Sequence, residues 1–188
     1  MAQAKTITQA ELDQVLRYVT NTRYKHRNRA MLLTSHWSGM RAGEIAALRV
    51  KDVQNDDGTI KSEVRLAASQ TKGNRGRVVF INEKLRAELA SYLKTRRPRL
   101  CVEPLFHTEK SAGFSANTLI QWFHWTYKKA GISGASSHSG RRTFITNLAN
   151  KGIGVRVLAS LAGHRSIAIT QAYIDVNDDM KRQAVELV

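Results

Sequence analysis

Val64-Arg65-Leu66, then Gln70-Thr71-Lys72-Gly73-Asn74-Arg75-Gly76, then Arg77-Val78-Val79-Phe80-Ile81: across this stretch the apolar period of the chain changes. Val64 and Leu66 alternate with charged neighbours, and the second run is β-branched and aromatic, so both read as strands. The polar, glycine-punctuated segment between them reads as a hairpin connection. A small antiparallel sheet of about three strands is therefore expected within 50–82.

Outward from the hairpin the spacing is helical. Thr8-Gln9-Ala10-Glu11 has capping-box form, and Leu12, Val15, Leu16 and Val19 follow on one helical face. A second helix over about 27–37 runs into Gly39 and Gly43, after which Ile45, Ala46 and Leu48 resume the pattern. Arg41 then sits at a turn opening a short helix. Downstream, Asn82 can cap a helix carrying Leu85, Leu89, Tyr92 and Leu93, stopped by Pro98. Another is expected over about 115–130, with Leu119, Trp122 and Phe123 inward and Gly131 closing it. Further helices follow over about 140–149 and 155–161, then a short one from about Ser166, and a last from Asp178 to the end. The class is α+β, mainly α-helical with a small antiparallel sheet. No repeat or linker appears, so residues 1–188 read as a single domain.

Thirty Lys and Arg against fifteen Asp and Glu leave a net charge of +15 on 188 residues. The charge is spread along the chain, which argues for a folded basic surface facing a polyanion rather than a disordered tail. No apolar run is long enough to span a bilayer, and no signal or lipidation pattern is present, so nucleic acid is favoured over a membrane. The lone Cys101 excludes an internal disulfide, fits a reducing cytoplasm, and reads as a small buried or half-buried residue. The six histidines form no metal-ligand spacing; neither metal nor cofactor is implied.

Three clusters combine glycine-shaped backbone with polar groups that a surface helix does not need. Gly39-Met40-Arg41-Ala42-Gly43-Glu44 alone reads as an i,i+3 ion pair. His138-Ser139-Gly140-Arg141-Arg142-Thr143 opens a helix, putting His138 and Arg141 at its positive end, where phosphate is favoured. In Leu161 to Tyr173, Ser166 can cap a helix on which Ser166, Thr170 and Tyr173 share a face, with His164 in the preceding turn. Taken alone, Tyr173 reads as packing.

In order and spacing, Arg41, Lys72 on a hairpin, His138-x-x-Arg141, Gly163-His164 and Tyr173 together resemble the signature of the tyrosine recombinases, the phage integrase family, from about Thr8 to Val176. The resemblance implies metal-free cleavage and rejoining of duplex DNA through a 3′-phosphotyrosine, and gives each residue a task that the chemistry requires. Tyr173 is the nucleophile. Arg41 and Arg141 clamp the non-bridging oxygens, which planar guanidinium groups match bidentately. Lys72 is the acid for the leaving oxygen, His138 assists proton transfer, and His164 donates a hydrogen bond to phosphate. Glu44 orients an arginine.

The resemblance also implies a monomer without DNA, a tetrameric synapse on it and possible accessory DNA-bending proteins. Family members commonly carry a further helical domain ahead of the catalytic one. Roughly seven helical turns' worth of N-terminal sequence cannot supply it, so that core-binding domain is expected to be absent, in an excised domain or a minimal single-domain member. The last segment, with Met180, Ala184, Val185 and Leu187, can pack on its own domain or on a neighbour. Two other readings stay open: a DNA-binding regulator without strand transfer, and a swivelling nicking-closing enzyme like the type IB topoisomerases.

Overall fold

The computed structural model describes residues 4–71, 74–109, 112–174 and 178–186. Its first helix, α1 (Gln9–Thr20), starts as the sequence predicts: Thr8 Oγ1 accepts from the Glu11 N–H at 3.2 Å while the Glu11 carboxylate accepts from the Thr8 N–H at 3.0 Å. Leu12, Val15 and Val19 are buried by it. The next helix, α2 (Lys25–Ser38), is buried on almost every side, as befits a helix at the centre of the domain, with α1 and the later helices Glu83–Arg96 and Ser139–Asn150 packed around it. Two of its buried hydroxyls are satisfied within the helix, Thr34 by the Ala30 carbonyl at 2.7 Å and Ser38 by that of Thr34 at 2.6 Å.

Gly39 ends α2 in the left-handed region at φ +64°, and a Cβ built there falls 2.6 Å from Phe144 Cδ1. Only glycine both adopts this turn and admits the neighbouring helix so closely. The turn delivers α3 (Ala42–Ala47), followed by α4 (Val50–Val53), β1 (Glu63–Leu66), a 3₁₀ turn (Ala68–Gln70) and β2 (Arg77–Phe80). The two strands pair antiparallel with Val64 opposite Val79 and Leu66 opposite Arg77. After them come α5 (Glu83–Arg96), α6 (Ala116–Lys129), α7 (Ser139–Asn150), α8 (Val155–Ala162), α9 (Ile167–Gln171) and α10 (Asp178–Val185). Asn82 and Ser115 cap α5 and α6 through side-chain oxygens, and Leu85, Leu89, Tyr92 and Leu93 form the buried face of α5.

Three local expectations differ. The sheet has two strands among the described residues rather than about three: Gln54 and Ile60 make only an isolated bridge, because the chain reverses tightly over residues 55–59 with Gly58 at φ +84°. The segment at Val50 is a helical turn, since the Asp52 carboxylate accepts from the Arg49 N–H at 2.8 Å and starts one. Cys101 is exposed, not buried. Its carbonyl accepts from Lys51 N–H at 2.8 Å, so at this turn the backbone, rather than the thiol, faces the domain. Of the last segment, α10 is formed and leaves Val185 72% exposed; Leu187 and the Met180 side chain lie outside the described residues.

Candidate active site

Four helix boundaries and the start of β2 converge on one cleft of about 690 Å³, lined by Arg41, Arg77, His138, Arg141, His164 and Tyr173 together with Thr71, Arg75, Gly76, Gly163, Arg165 and Ile169. Five of the six predicted site residues thus meet in one place. The sixth, Lys72, lies outside the described residues; Thr71 and Arg75, before and after it in sequence, line the cleft.

Arg41 stands at the N-terminal boundary of α3, fixed by Glu44. The Glu44 carboxylate is 1% exposed and accepts from the Arg41 N–H at 2.8 Å and from Arg41 Nη1 at 2.9 Å. It also receives Arg77 Nη2 at 2.7 Å and Nε at 3.2 Å, so one carboxylate holds two guanidinium groups. Burial raises the Glu44 pKa, but the hydrogen bond and charge of Arg77, followed by those of Arg41, outweigh it and hold the group below its usual value.

Arg141 comes from the first turn of α7, which begins at Ser139, so His138 and Arg141 do lie at a helix start. Its side chain is buried: Nη1 donates to the Gly39 carbonyl at 2.7 Å and Nη2 to the Ala162 carbonyl at 2.5 Å. Both acceptors belong to helix ends, where carbonyls lack intrahelical partners and the dipole is negative, so the cation caps α2 and α8 together. A guanidinium carries five N–H donors, which leaves capacity for an oxyanion beyond these two bonds. Burial, then the charges of Arg41 and Arg77, pull the Arg141 pKa down to about 9. Arg141 stays charged at neutral pH, and the neighbouring guanidinium groups add to the effect of its burial.

His164 follows Gly163, which ends α8 at φ +64°. Burial, then Arg141, Arg41 and Arg77, lower its pKa to about 4, so the ring is neutral at physiological pH. Its Nδ1 lies 2.8 Å from the Thr170 hydroxyl. With that hydroxyl as donor, Nε2 carries the proton and can donate into the cleft. The Tyr173 ring stacks on His164 with centroids 5.6 Å apart and planes 16° apart, and the Arg142 guanidinium carbon lies over the Tyr173 ring, 5.7 Å from its centroid. Tyr173 sits two residues beyond the end of α9; its N–H still bonds the Thr170 carbonyl at 2.9 Å, which keeps Thr170 and Tyr173 on the His164 side. Arg77 is the residue that sequence reading missed. Among the described residues no group of three or more His, Cys, Asp or Glu is placed to hold a metal ion, and no helix is long and apolar enough to cross a membrane.

This architecture and this cleft define a catalytic-domain fold, and the phage integrase family model matches residues 5–180: the chain belongs to that family. Among its curated relatives, the tyrosine recombinase XerC of Lactobacillus leichmannii is 29% identical over 176 residues, covering 90% of this chain and 57% of that protein. The tyrosine recombinase XerA of Pyrococcus horikoshii is 28% identical over 185 residues, covering 97% of this chain and 60% of the relative. The chain therefore spans about three-fifths of the length of these relatives. In fold it is similar to a XerA recombinase crystal structure, with TM-score 0.76, 24% identity, and coverage of 100% of this chain and 64% of that one. It is also similar to the Tn1549 transposon integrase in complex with transposon right end DNA, with TM-score 0.74, 19% identity, and coverage of 100% and 67%.

Proposed function

We propose that this domain is a site-specific recombinase that cleaves and rejoins duplex DNA through a 3′-phosphotyrosine. The observation that carries the reading is the meeting of Tyr173 with Arg41, Arg141, His138 and His164 in one cleft, although they come from four separate stretches of sequence. Tyr173 Oη attacks the scissile phosphorus as its proton departs, assisted by His138; the bond from phosphorus to the 5′ oxygen breaks, and Lys72 protonates that oxygen. Arg41, Arg141 and the Nε2 proton of His164 hold the non-bridging oxygens. The ester stores the bond, so a second 5′ hydroxyl reverses the step without a nucleotide cofactor. Duplex DNA as partner is supported by the +15 charge and by relatives that are named recombinases or were solved with DNA. Assembly into a tetramer on DNA, help from DNA-bending proteins, and action in a reducing cytoplasm complete the proposal.

The test is incubation with a nicked duplex that traps the cleaved end, followed by denaturing electrophoresis. A protein–DNA adduct that vanishes in Tyr173→Phe, with duplex binding retained, is expected. Binding without any adduct would instead make the domain a regulator, and relaxation of supercoils lacking any specific site would make it a nicking-closing enzyme.

A further inference from the structure

We infer that Arg77 is a positioning residue of the cleft: by gripping Glu44 and the Leu161 carbonyl at once, it sets the separation between Arg41 and the Gly163–His164 turn. This rests on the reading that the cleft receives a scissile phosphate. Arg77 opens β2, and its stem crosses Gly163 so closely that a Cβ built there falls 2.6 Å from Arg77 Cδ. At its head, Nη2 and Nε meet both oxygens of Glu44 at 2.7 and 3.2 Å, and Nη1 donates to the Leu161 carbonyl at 2.9 Å. Glu44 passes the constraint on through its bonds to the Arg41 backbone and guanidinium, while Arg41 Nη2 reaches the Gly163 carbonyl at 3.4 Å. One planar cation thus ties β2, α3 and the end of α8 together. Three of its five N–H donors are bonded to protein, two of them to the carboxylate that orients Arg41, so its effect on the cleft runs through Arg41 and the end of α8.

The experiment compares wild type, Arg77→Met, Arg77→Lys, Glu44→Gln and the Glu44→Gln/Arg77→Met double variant. Two quantities are read: the single-turnover rate of adduct formation at saturating nicked duplex, and the rise in melting temperature given by sodium sulfate over sodium chloride of equal ionic strength. Misplacing a clamp by about 1 Å costs on the order of 10²-fold, so Arg77→Met should lose roughly that much rate while its Kd for duplex moves less than about threefold. Arg77→Lys should recover only part of it, since an ammonium lacks the fork that spans two acceptors. In the Glu44→Gln background the Met substitution should cost far less, because its path to Arg41 is already cut. Sulfate stabilisation should shrink in the same pattern. Should Arg77→Met not fold, Arg77→Lys carries the same comparison.

Rate and affinity falling together, full additivity with Glu44→Gln, or an unchanged rate in a folded variant would overturn the inference. If wild type forms no adduct, the recombinase reading falls, and the sulfate series alone decides for or against Arg77.

Discussion

Replacing Arg141 by lysine keeps a positive charge and an alkyl stem, yet it should damage both stability and reaction, whereas the same change at Arg41 should damage only the reaction. Arg141 is 2% exposed and its two terminal nitrogens span the carbonyls of Gly39 and Ala162. An ammonium on a shorter stem satisfies one of them and leaves the other buried without a donor, a loss of about 1–3 kcal/mol. For a domain of this size each kcal/mol moves Tm by roughly 2–4 °C, so Arg141→Lys should melt well below wild type. The Arg41 side chain is 26% exposed and its partner Glu44 keeps Arg77, so Arg41→Lys should cost under about 1 kcal/mol. Both variants should lose roughly 10² to 10³ in the rate of adduct formation, the value of one oriented oxyanion donor. Calorimetry and the nicked-duplex trap measure the two effects separately. An Arg141→Lys protein that melts within about 1 °C of wild type would refute the two-carbonyl argument, given the conversion above, and one that forms adduct at full rate would refute the clamp.

Other consequences are equally concrete. Gly140→Ala drives a Cβ to 2.4 Å from Ser35 Oγ and 3.0 Å from Ser35 Cβ, between α7 and α2, and should destabilise by about 1–3 kcal/mol in a urea titration. Burial lowers the pKa of His36 to about 4, and His164 is depressed to the same range. The unfolded chain then binds more protons than the native one between about pH 6.5 and pH 4, so stability is lost as pH falls through that window. Melting curves should move to lower temperature from pH 7 to pH 4.5, with a smaller displacement in His36→Gln; equal displacements would show that His36 is not the linked group. Binding to duplex DNA should weaken steeply with salt: neutralising about six phosphates gives a log–log slope near −5, and a slope near −1 would show that the basic surface does not track the backbone.

The parts of the fold that were legible were those decided within a few residues. Thr8, Asn82 and Ser166 cap helices because each side-chain oxygen meets a backbone N–H two or three positions on, a distance fixed by local geometry. The site clusters were legible for a similar reason, since each packs its polar groups beside a glycine or helix start. Arg77 was not, because its task depends on tertiary pairing. A signal was nevertheless present: alternation along β2 puts Arg77 on the same face as buried Val79, opposite buried Leu66. An arginine facing a core requires a buried carboxylate, and Glu44, already singled out beside Arg41, was a candidate. Cys101 misled because small apolar residues are usually inside, and nothing local announced that its carbonyl would take the inward position.

The arrangement around Glu44 also suits the phosphodiester chemistry proposed for this cleft. Arg41, Arg77 and Arg141 bring three positive charges to one buried carboxylate, and their charges add to burial in depressing the pKa values of Arg141 and His164. Such an imbalance is unfavourable in the free domain, and the protein contains it by bonding guanidinium groups to the carbonyls of Gly39, Leu161 and Ala162, whose dipoles cost no further charge. A DNA phosphate brings one negative charge, and in the proposed attack by Tyr173 the pentacoordinate phosphorus carries a second. The electrostatic relief is therefore larger in the transition state than in the bound ground state, which is the condition for lowering a barrier rather than merely tightening binding. A second buried carboxylate here would make the free domain more comfortable and remove that difference. By the same logic Glu44→Gln, although it adds to the excess, should slow the reaction through the loss of Arg41's orientation.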